Sequence, residues 1–138
     1  MIDSKTTFLL KWAGFEDATE SQWVSNIVGI QIGKDVFRVY GLIRENATQG
    51  SIHESTPEAI NRDLQNFLKK YMRGNGIEPP PKLTDEMKTQ LIAIVDRDFY
   101  IPLTTTTIKA LKKRSLVYNF AKATEKGRIL ADFLKEKD

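Results

Sequence analysis

The chain has 138 residues, is 41% hydrophobic and 28% charged, and carries a formal net charge of +3 at pH 7. These values are typical of a globular protein with one domain or two very small ones. The lack of cysteine excludes disulfides and thiolate metal sites, and a single histidine, His53, argues against a histidine-based zinc site within one chain. The sequence has no secretory signal and no apolar run near the roughly 20 residues of a membrane span, so we expect a cytoplasmic protein without a membrane partner.

Positive charge is concentrated in the C-terminal part of the chain. Residues 1–78 contain nine Lys/Arg against ten Asp/Glu, a net charge of −1, whereas residues 79–138 contain twelve against eight, a net charge of +4. Residues 104–138 alone contain nine against four, a net charge of +5. This asymmetry favours a nucleic-acid partner for the C-terminal part, and a solvated basic surface is the alternative.

The N-terminal half begins with "SKTTFLLKWAG", residues 4–14, which fits either a strand or a short helix because periodicity does not distinguish short apolar runs. Residues 22–45 predict a β-hairpin, since β-branched residues alternate and residues 33–35 supply a turn. The alternating residues before that turn are Val24, Val28, Ile30 and Ile32. The polar stretch "NATQGSIHES", residues 46–55, is predicted to be a loop.

An amphipathic helix is predicted in "STPEAINRDLQNFLKKYM", residues 55–72. Ser55 or Thr56 suits the N-cap, and Pro57 suits the first helical position. The predicted apolar face consists of Ile60, Leu64, Phe67, Leu68 and Tyr71. A hairpin packed on this helix gives an α+β module, for which dimerisation or partner binding is the expected role.

Three aromatic residues, Trp12, Phe15 and Trp23, cluster in this module. Core packing is one interpretation, and an exposed aromatic interaction patch is the other.

A module boundary is predicted in "RGNGIEPPPKL", residues 73–83. Gly-Asn-Gly at 74–76 ends a helix, and the three prolines at 79–81 predict a stiff polyproline spacer. The sequence therefore predicts an α+β protein of two modules, residues 1–76 and 82–138.

The C-terminal module begins with a predicted helix, "DEMKTQLIAIV", which Thr84 caps. Its apolar stripe consists of Met87, Leu91, Ile94 and Val95. The following "DRDFYIP", residues 96–102, is predicted to be an extended strand or a single turn. Asp96 and Asp98 could bind a metal ion as a pair, but their position at a helix end favours a surface turn.

The stretch "TTTTIKALKKRSLV", residues 104–117, predicts a helix that one of the first three threonines caps. Inward-facing Ile108, Leu111 and Leu116 place a polar set outward. That set consists of Thr105, Thr106, Lys109, Lys112 and Lys113. A helix N-terminus with hydroxyls and free amides suits an anion, and the lysines add charge along the same helix.

Two short strands, "LVYNF" and "AKAT", are predicted around a turn at 119–121, followed by the helix "TEKGRILADFLKEK" with Thr124 as its cap. The predicted buried residues of that helix are Ile129, Leu130, Phe133 and Leu134.

Residues 82–138 resemble the winged helix-turn-helix superfamily in an abbreviated form. "ALKKRSLV", residues 110–117, is similar to the end of a winged-helix recognition helix, "ALxxRGLV". "ATEKGRILADFL", residues 123–134, is similar to the stretch after the wing, "LTxxGRxLAxxL". Ser115 replaces the usual glycine, Ala123 replaces a common leucine, and the short connection after Val95 leaves little room for the usual middle helix.

The resemblance implies a small DNA-binding protein that regulates transcription and contacts duplex DNA mainly through phosphates. It implies groove and phosphate contacts by the outward set of the recognition helix, a wing-tip contact by Lys122 and a further contact by Lys126 or Arg128. Asn119 is the one residue of this set with a base-reading side chain. A protein-binding adaptor or inhibitor, of the phage- or plasmid-accessory type, is the alternative and would use the same basic surface and the N-terminal aromatic patch.

No catalytic motif is found, so we expect neither an enzyme nor a cofactor or metal site. "GIQIGKD" has a Gly-Lys pair but lacks the spacing of a phosphate-binding loop. Winged-helix repressors usually act as dimers, which makes a homodimer one arrangement to consider.

Overall fold

The computed structural model describes residues 2–19, 21–43 and 46–136, and divides the chain into two compact units, residues 1–79 and 80–138. This part of the chain is α+β, with five helices and one five-stranded antiparallel sheet. The module boundaries predicted at 76 and 82 lie on either side of the division.

Unit 1, residues 1–79, contains the whole sheet and two helices. Each strand pairs antiparallel with its neighbours in chain order, which gives a meander. The elements are α1 (Ser4–Trp12), β1 (Glu16–Thr19), β2 (Gln22–Val24), β3 (Val28–Ile32), β4 (Val36–Ile43), β5 (Asn46–Glu54) and α2 (Ile60–Gly74).

The segment that fits both a strand and a helix is the helix α1. Its N-cap is Asp3, whose carboxylate accepts a hydrogen bond from the amide of Thr6 at 2.8 Å. The backbone amide of Asp3 in turn donates to the side-chain oxygen of Asn61 on α2, also at 2.8 Å. This cap satisfies a free amide of the first turn and fixes the start of α1 to α2.

Strands β3 and β4 are joined by the turn at 33–35, with Ile30 opposite Val39. Of the alternating residues, Ile30 is fully buried, while the others are half-buried. The half-buried residues are Val24, Val28 and Ile32.

The predicted loop at 46–55 is wrong, because residues 46–54 form β5, which pairs with β4. β5 lies at an edge of the sheet, beside β4, and its sequence is mostly polar, so it offers no apolar alternation to detect. Gly50 sits at an irregularity in the pairing, where an added Cβ would lie 1.5 Å from the carbonyl oxygen of Val39. The ladder therefore needs the glycine at this point.

Helix α2 starts later than predicted, at Ile60 with Ala59 as its N-cap rather than Ser55 or Thr56. The Thr56 hydroxyl accepts the amide of Ala59 at 3.2 Å in a turn that includes Pro57. The Ser55 hydroxyl donates to the carboxylate of Asp63 at 2.5 Å, and this hydrogen bond lowers the pKa of Asp63. The hydroxyls of Ser55 and Thr56 thus form hydrogen bonds near the start of α2 without serving as its N-cap. Of the predicted apolar face, Ile60, Leu64 and Leu68 are buried, and Phe67 and Tyr71 are half-buried.

The N-terminal aromatic interaction patch is also a wrong prediction, because Trp12, Phe15 and Trp23 are 4%, 2% and 4% exposed. The indole nitrogen of Trp12 donates to the carbonyl of Glu78 at 2.8 Å, so its polar atom is satisfied inside the unit. The alternative reading of these aromatics as core is therefore correct.

Unit 2, residues 80–138, contains three helices and no paired strands within its described residues. The helices are α3 (Asp85–Asp96), α4 (Thr105–Lys113) and α5 (Glu125–Glu136). α3 packs against both α4 and α5, and Thr84 caps α3 as predicted, accepting the amide of Met87 at 3.2 Å. The large buried side chains are Met87, Leu91, Ile94, Ile108, Leu111, Leu116 and Leu130.

The apolar residues of α5 are less buried than predicted. Leu130 is buried, but Ile129, Phe133 and Leu134 are half-buried, as is Val95 on α3. The residues that α5 buries beside Leu130 are small, namely Gly127 and Ala131. Small residues let helix α5 approach closely, so its larger side chains lie at the border of the core. The predicted helix extends to residue 137, which lies outside the described residues.

The segment between α3 and α4 is a turn, and the two predicted strands after α4 reduce to a single bridge between Val117 and Ala123. The side-chain oxygen of Asn119 accepts the amides of Ala121 and Lys122 at 2.8 and 3.0 Å. This tight turn uses the residues that would otherwise extend a ladder. We call residues 117–123 the arm.

Replacing Gly127 with alanine is expected to lower the free energy of unfolding of unit 2 by about 1–3 kcal/mol, because an added Cβ would lie 2.0 Å from the Leu116 carbonyl oxygen. Helix propensity alone predicts the opposite sign. Gly74→Ala in α2 is the control, since a Cβ there meets nothing within 4 Å and the variant should be as stable as the parent or more. Urea unfolding followed by far-UV circular dichroism measures both, and tryptophan fluorescence isolates unit 1, which holds both tryptophans. A Gly127→Ala protein as stable as the parent contradicts the close packing of α5.

Candidate nucleic-acid interface

The first threonine of the run is the one that caps α4. The Thr104 hydroxyl accepts the amide of Thr107 at 3.4 Å, and the Thr104 amide donates to the side-chain oxygen of Gln90 at 3.0 Å. The Gln90 nitrogen donates back to the Thr104 hydroxyl at 3.3 Å. Gln90 lies on α3 and is 3% exposed, whereas Thr104 is exposed, so a reciprocal pair of partly buried hydrogen bonds fixes the start of α4.

The four threonines therefore divide into two kinds. Thr104 and the buried Thr107 serve the fold, whereas Thr105 and Thr106 are exposed in the first turn of α4. Two hydroxyls stand beside the free amides of that turn, which is an arrangement suited to an anion.

The predicted lysines of α4 all face solvent. Ile108 and Leu111 are buried, and the helical repeat turns Lys109, Lys112 and Lys113 away from them. Within the described residues, no carboxylate lies within salt-bridge distance of these three lysines. Their charge is therefore not neutralised by that part of the chain. Lys112 and Lys113 also lie in the last turn, where the helix dipole favours cations.

α4 ends at Ser115 in the left-handed conformation, with φ of 60°. The Ser115 amide donates to the Lys112 carbonyl at 2.9 Å, and the Leu116 amide donates to the Leu111 carbonyl at 3.1 Å. This pair of hydrogen bonds is the Schellman ending that glycine usually supplies. Nothing in the structure explains serine rather than glycine here, but the ending places Leu116 in the core and starts the arm.

The whole stretch from residue 99 to residue 124 contains five Lys/Arg and no Asp or Glu. All five side chains are exposed. They are Lys109, Lys112, Lys113, Arg114 and Lys122. The acids of the described part of unit 2 lie outside this stretch, on α3, in the turn after it, and on α5. Residues 99–124 therefore carry cations without acids between them, whereas cations and acids alternate in the sequence on either side.

The other predicted site residues form a second group, away from the lysines of α4. Asn119, Lys122 and Arg128 line one groove of about 410 Å³, together with Arg97. Lys122 also lies over the Tyr118 ring, with its nitrogen 5.7 Å from the ring centroid. The Asn119 oxygen is used in the turn of the arm, and Lys126 is half-buried on α5.

Sequence reasoning missed Arg97 and a set of exposed aromatics. Arg97 ends α3 in the left-handed conformation, with φ of 55°, which gives no signal in a sequence without glycine at that point. The aromatics lie in the turn before α4 and in the arm: Phe99, Tyr100, Tyr118 and Phe120. A helical or alternating pattern cannot detect them because both segments are irregular, and the absence of periodicity around "DFYIP" is the one signal of exposure.

The described residues contain no cluster of three or more potential metal ligands. Asp96 pairs with Lys135 at 2.8 Å, and this hydrogen bond raises the pKa of Lys135. The carboxylate of Asp98 accepts the amide of Tyr100 at 3.1 Å. In unit 1, Ser51 and His53 are 2.8 Å apart, but the His53 ring stacks on Phe37 at 4.5 Å, which is a packing contact.

No family model matches the chain, and neither the curated proteins nor the solved structures contain a significant match. None of the helices within the described ranges is long and apolar enough to cross a membrane.

Thr104→Ala is expected to lower the free energy of unfolding of unit 2 by about 1 kcal/mol, the usual cost of a lost N-cap, while Thr105→Ala should change it by less than about 0.5 kcal/mol. The two substitutions remove the same atoms from adjacent residues, so the difference isolates the cap and the hydrogen bond that the Thr104 hydroxyl accepts from Gln90. Urea unfolding and amide hydrogen exchange of α4 measure the effect. Equal losses for both variants count against Thr104 as the anchor.

Proposed function

We propose that the protein is a small DNA-binding regulator in which unit 2 acts as an abbreviated winged-helix module. In this proposal α4 lies along duplex DNA, Lys122 and either Lys126 or Arg128 contact the backbone, and unit 1 dimerises or binds a regulatory partner. Transcription is the process such a module would control.

The observation that carries the proposal is the acid-free stretch of residues 99–124, with five exposed cations and no carboxylate near the lysines of α4. Phosphate contacts dominate the affinity of non-specific DNA binding, and they require cations that the protein does not neutralise itself. A basic surface that has no anionic partner could equally well carry acids between its cations, and this stretch carries none.

The dimensions of α4 are compatible with a groove. An α-helix with its side chains is about 10–12 Å in diameter, and the major groove of B-DNA is about 12 Å wide, so a helix such as α4 can enter it. Thr105 and Thr106 would donate to phosphates at one end, and the lysines would follow the backbone along the helix. Lysine and threonine give weak base discrimination, so modest sequence specificity follows.

Local features support the winged-helix interpretation. Helix, helix, arm and helix follow in the order that the sequence resemblance implies. Ser115 takes the left-handed conformation at the position where those domains usually carry glycine. Gly127, of the "GR" pair in the second motif, lies against the backbone of Leu116, where no side chain fits.

Replacing Lys109, Lys112 and Lys113 together with alanine is expected to weaken binding to a random 20-bp duplex by about 100-fold at 100 mM salt. Each phosphate contact contributes about 0.9 to the slope of log affinity against log salt, so the slope should fall by roughly 2.7. Fluorescence anisotropy between 50 and 200 mM salt measures both quantities.

The control is a triple alanine variant of Lys69, Lys70 and Arg73, three exposed cations at the C-terminal end of α2 in unit 1. It removes the same net charge from the other unit, so it should retain duplex affinity within about threefold if position rather than net charge decides binding. A parent protein that does not bind duplex at 50 mM salt, or equal losses in the two triple variants, refutes the proposal. Circular dichroism checks that both variants are folded.

A further inference from the structure

We infer that unit 2 carries a second nucleic-acid site, in which a phosphate and an unpaired base occupy two adjoining concavities beside α4. This inference rests on the proposed function for the kind of polymer bound and names a more specific ligand, DNA with unpaired nucleotides, such as a single-stranded overhang on a duplex.

The first concavity is the groove of about 410 Å³ that Arg97, Lys122 and Arg128 line. These three cations come from the end of α3, the arm and the first turn of α5. None of the residues lining the groove is acidic. A groove with three cations and no carboxylate attracts an anion, and guanidinium groups match the geometry of phosphate oxygens.

The second concavity is an apolar cleft of about 380 Å³ between the turn before α4 and the arm. Its mouth carries two aromatic rings, Phe99 and Phe120, which are 89% and 49% exposed. Ile101, Pro102 and Leu103 form more of its wall. The one acid lining it, Asp98, already accepts the amide of Tyr100.

The two concavities adjoin, because Ile94, Arg97 and Ala121 line both. An apolar, aromatic cleft directly beside a cationic groove matches a nucleotide, which joins a planar base to a phosphate. Bases stack on exposed aromatic side chains while neighbouring cations hold the backbone, which is how single-stranded nucleic acid is bound without sequence preference. A paired base cannot enter such a cleft, since its faces are covered by its neighbours in the duplex.

The conformation of Arg97 agrees with this assignment. Arg97 is a non-glycine residue in the left-handed region, which strains its backbone, and glycine would relieve that strain. Arg97 bears this strain, and it is the one cationic residue that lines both concavities.

The position of the cleft relative to α4 defines the expected DNA. Leu103, in the cleft wall, is followed immediately by Thr104, the cap of α4. A strand whose duplex part lies along α4 can therefore place its first unpaired nucleotide in the cleft. We expect a duplex with a five-nucleotide thymine overhang to bind at least about fivefold more tightly than the blunt duplex, since stacking of one base contributes that much or more.

The test compares three fluorescent probes by anisotropy, namely a blunt 20-bp duplex, the same duplex with the overhang, and a 15-nucleotide thymine strand. Phe99→Ala combined with Phe120→Ala should abolish the advantage of the overhang and leave blunt-duplex affinity unchanged. Arg97→Gly, which keeps the left-handed backbone unstrained, should weaken binding of the thymine strand and lower its salt slope by about 0.7. Phe99→Ala alone should give a partial loss, and because that ring is almost wholly exposed its removal cannot unfold the unit.

Tyr100→Ala is the matched control, since Tyr100 is 97% exposed and adjacent to Phe99 but does not line the cleft. It should retain the full advantage of the overhang. An overhang that adds no affinity, or an advantage that survives the double phenylalanine variant, overturns the inference.

Two further probes exclude other ligands. Binding of vesicles rich in phosphatidylserine that depends on Phe99 and Phe120 would assign the rings to a lipid surface and overturn the inference. Thymidine monophosphate that binds as tightly as the 15-nucleotide strand would assign the site to a free nucleotide and also overturn it. Failure of the proposed function would give a different result. It would appear as unchanged blunt-duplex affinity in the triple lysine variant of α4, a measurement that does not depend on the phenylalanine variants.

Discussion

The burial of Ile108, Leu111 and Leu116 determines which way the lysines of α4 face. These three side chains are 4% exposed or less, and their spacing leaves one rotational setting for α4. In that setting the lysines of α4 face water. The hydrogen bonds between Gln90 and Thr104 then fix the start of the helix, and the Schellman ending at Ser115 fixes its end. An interface of cations is thus a consequence of apolar packing, because the same helical repeat that buries three residues exposes the others.

Concentrating like charges on one helix lowers the stability of that helix. Like charges three or four residues apart on a helix destabilise it by a few tenths of a kcal/mol each, and Lys109, Lys112 and Lys113 form such pairs. Acids interspersed among them would remove that cost, and elsewhere the unit uses this device, since Lys135 lies near both Asp96 and Asp132. Binding of a polyanion, as proposed, would relieve the repulsion within α4. A solvent-exposed surface without a partner gains nothing from this arrangement.

Periodic features of the fold could be predicted from the sequence, and irregular ones could not. The face of α4, the stripe and cap of α3 and most of the face of α2 follow from apolar spacing and capping residues, which are local properties. β5 was missed because an edge strand with polar side chains has no apolar alternation, and its pairing depends on β4, which precedes it in the chain. The start of α2 was placed too early, since Ser55 and Thr56 can use their hydroxyls in a turn as well as in a cap. Composition cannot distinguish a cluster of aromatic residues in the core from an exposed one. This left two interpretations open for Trp12, Phe15 and Trp23.

The candidate site likewise combines residues that periodicity predicts with residues that it does not. The exposed set on α4 is readable from periodicity, whereas the groove around Arg97 assembles residues from α3, the arm and α5 that no spacing connects. Arg97 and Ser115 are the non-glycine residues with positive φ in the described chain, and each ends a helix of unit 2. The reversal of the chain at Arg97 begins the irregular turn that exposes Phe99. The reversal at Ser115 begins the arm that carries Phe120 and Lys122. Since both walls of the nucleotide site start at these two reversals, their geometry, rather than the composition of the turns, decides whether aromatic and cationic groups meet.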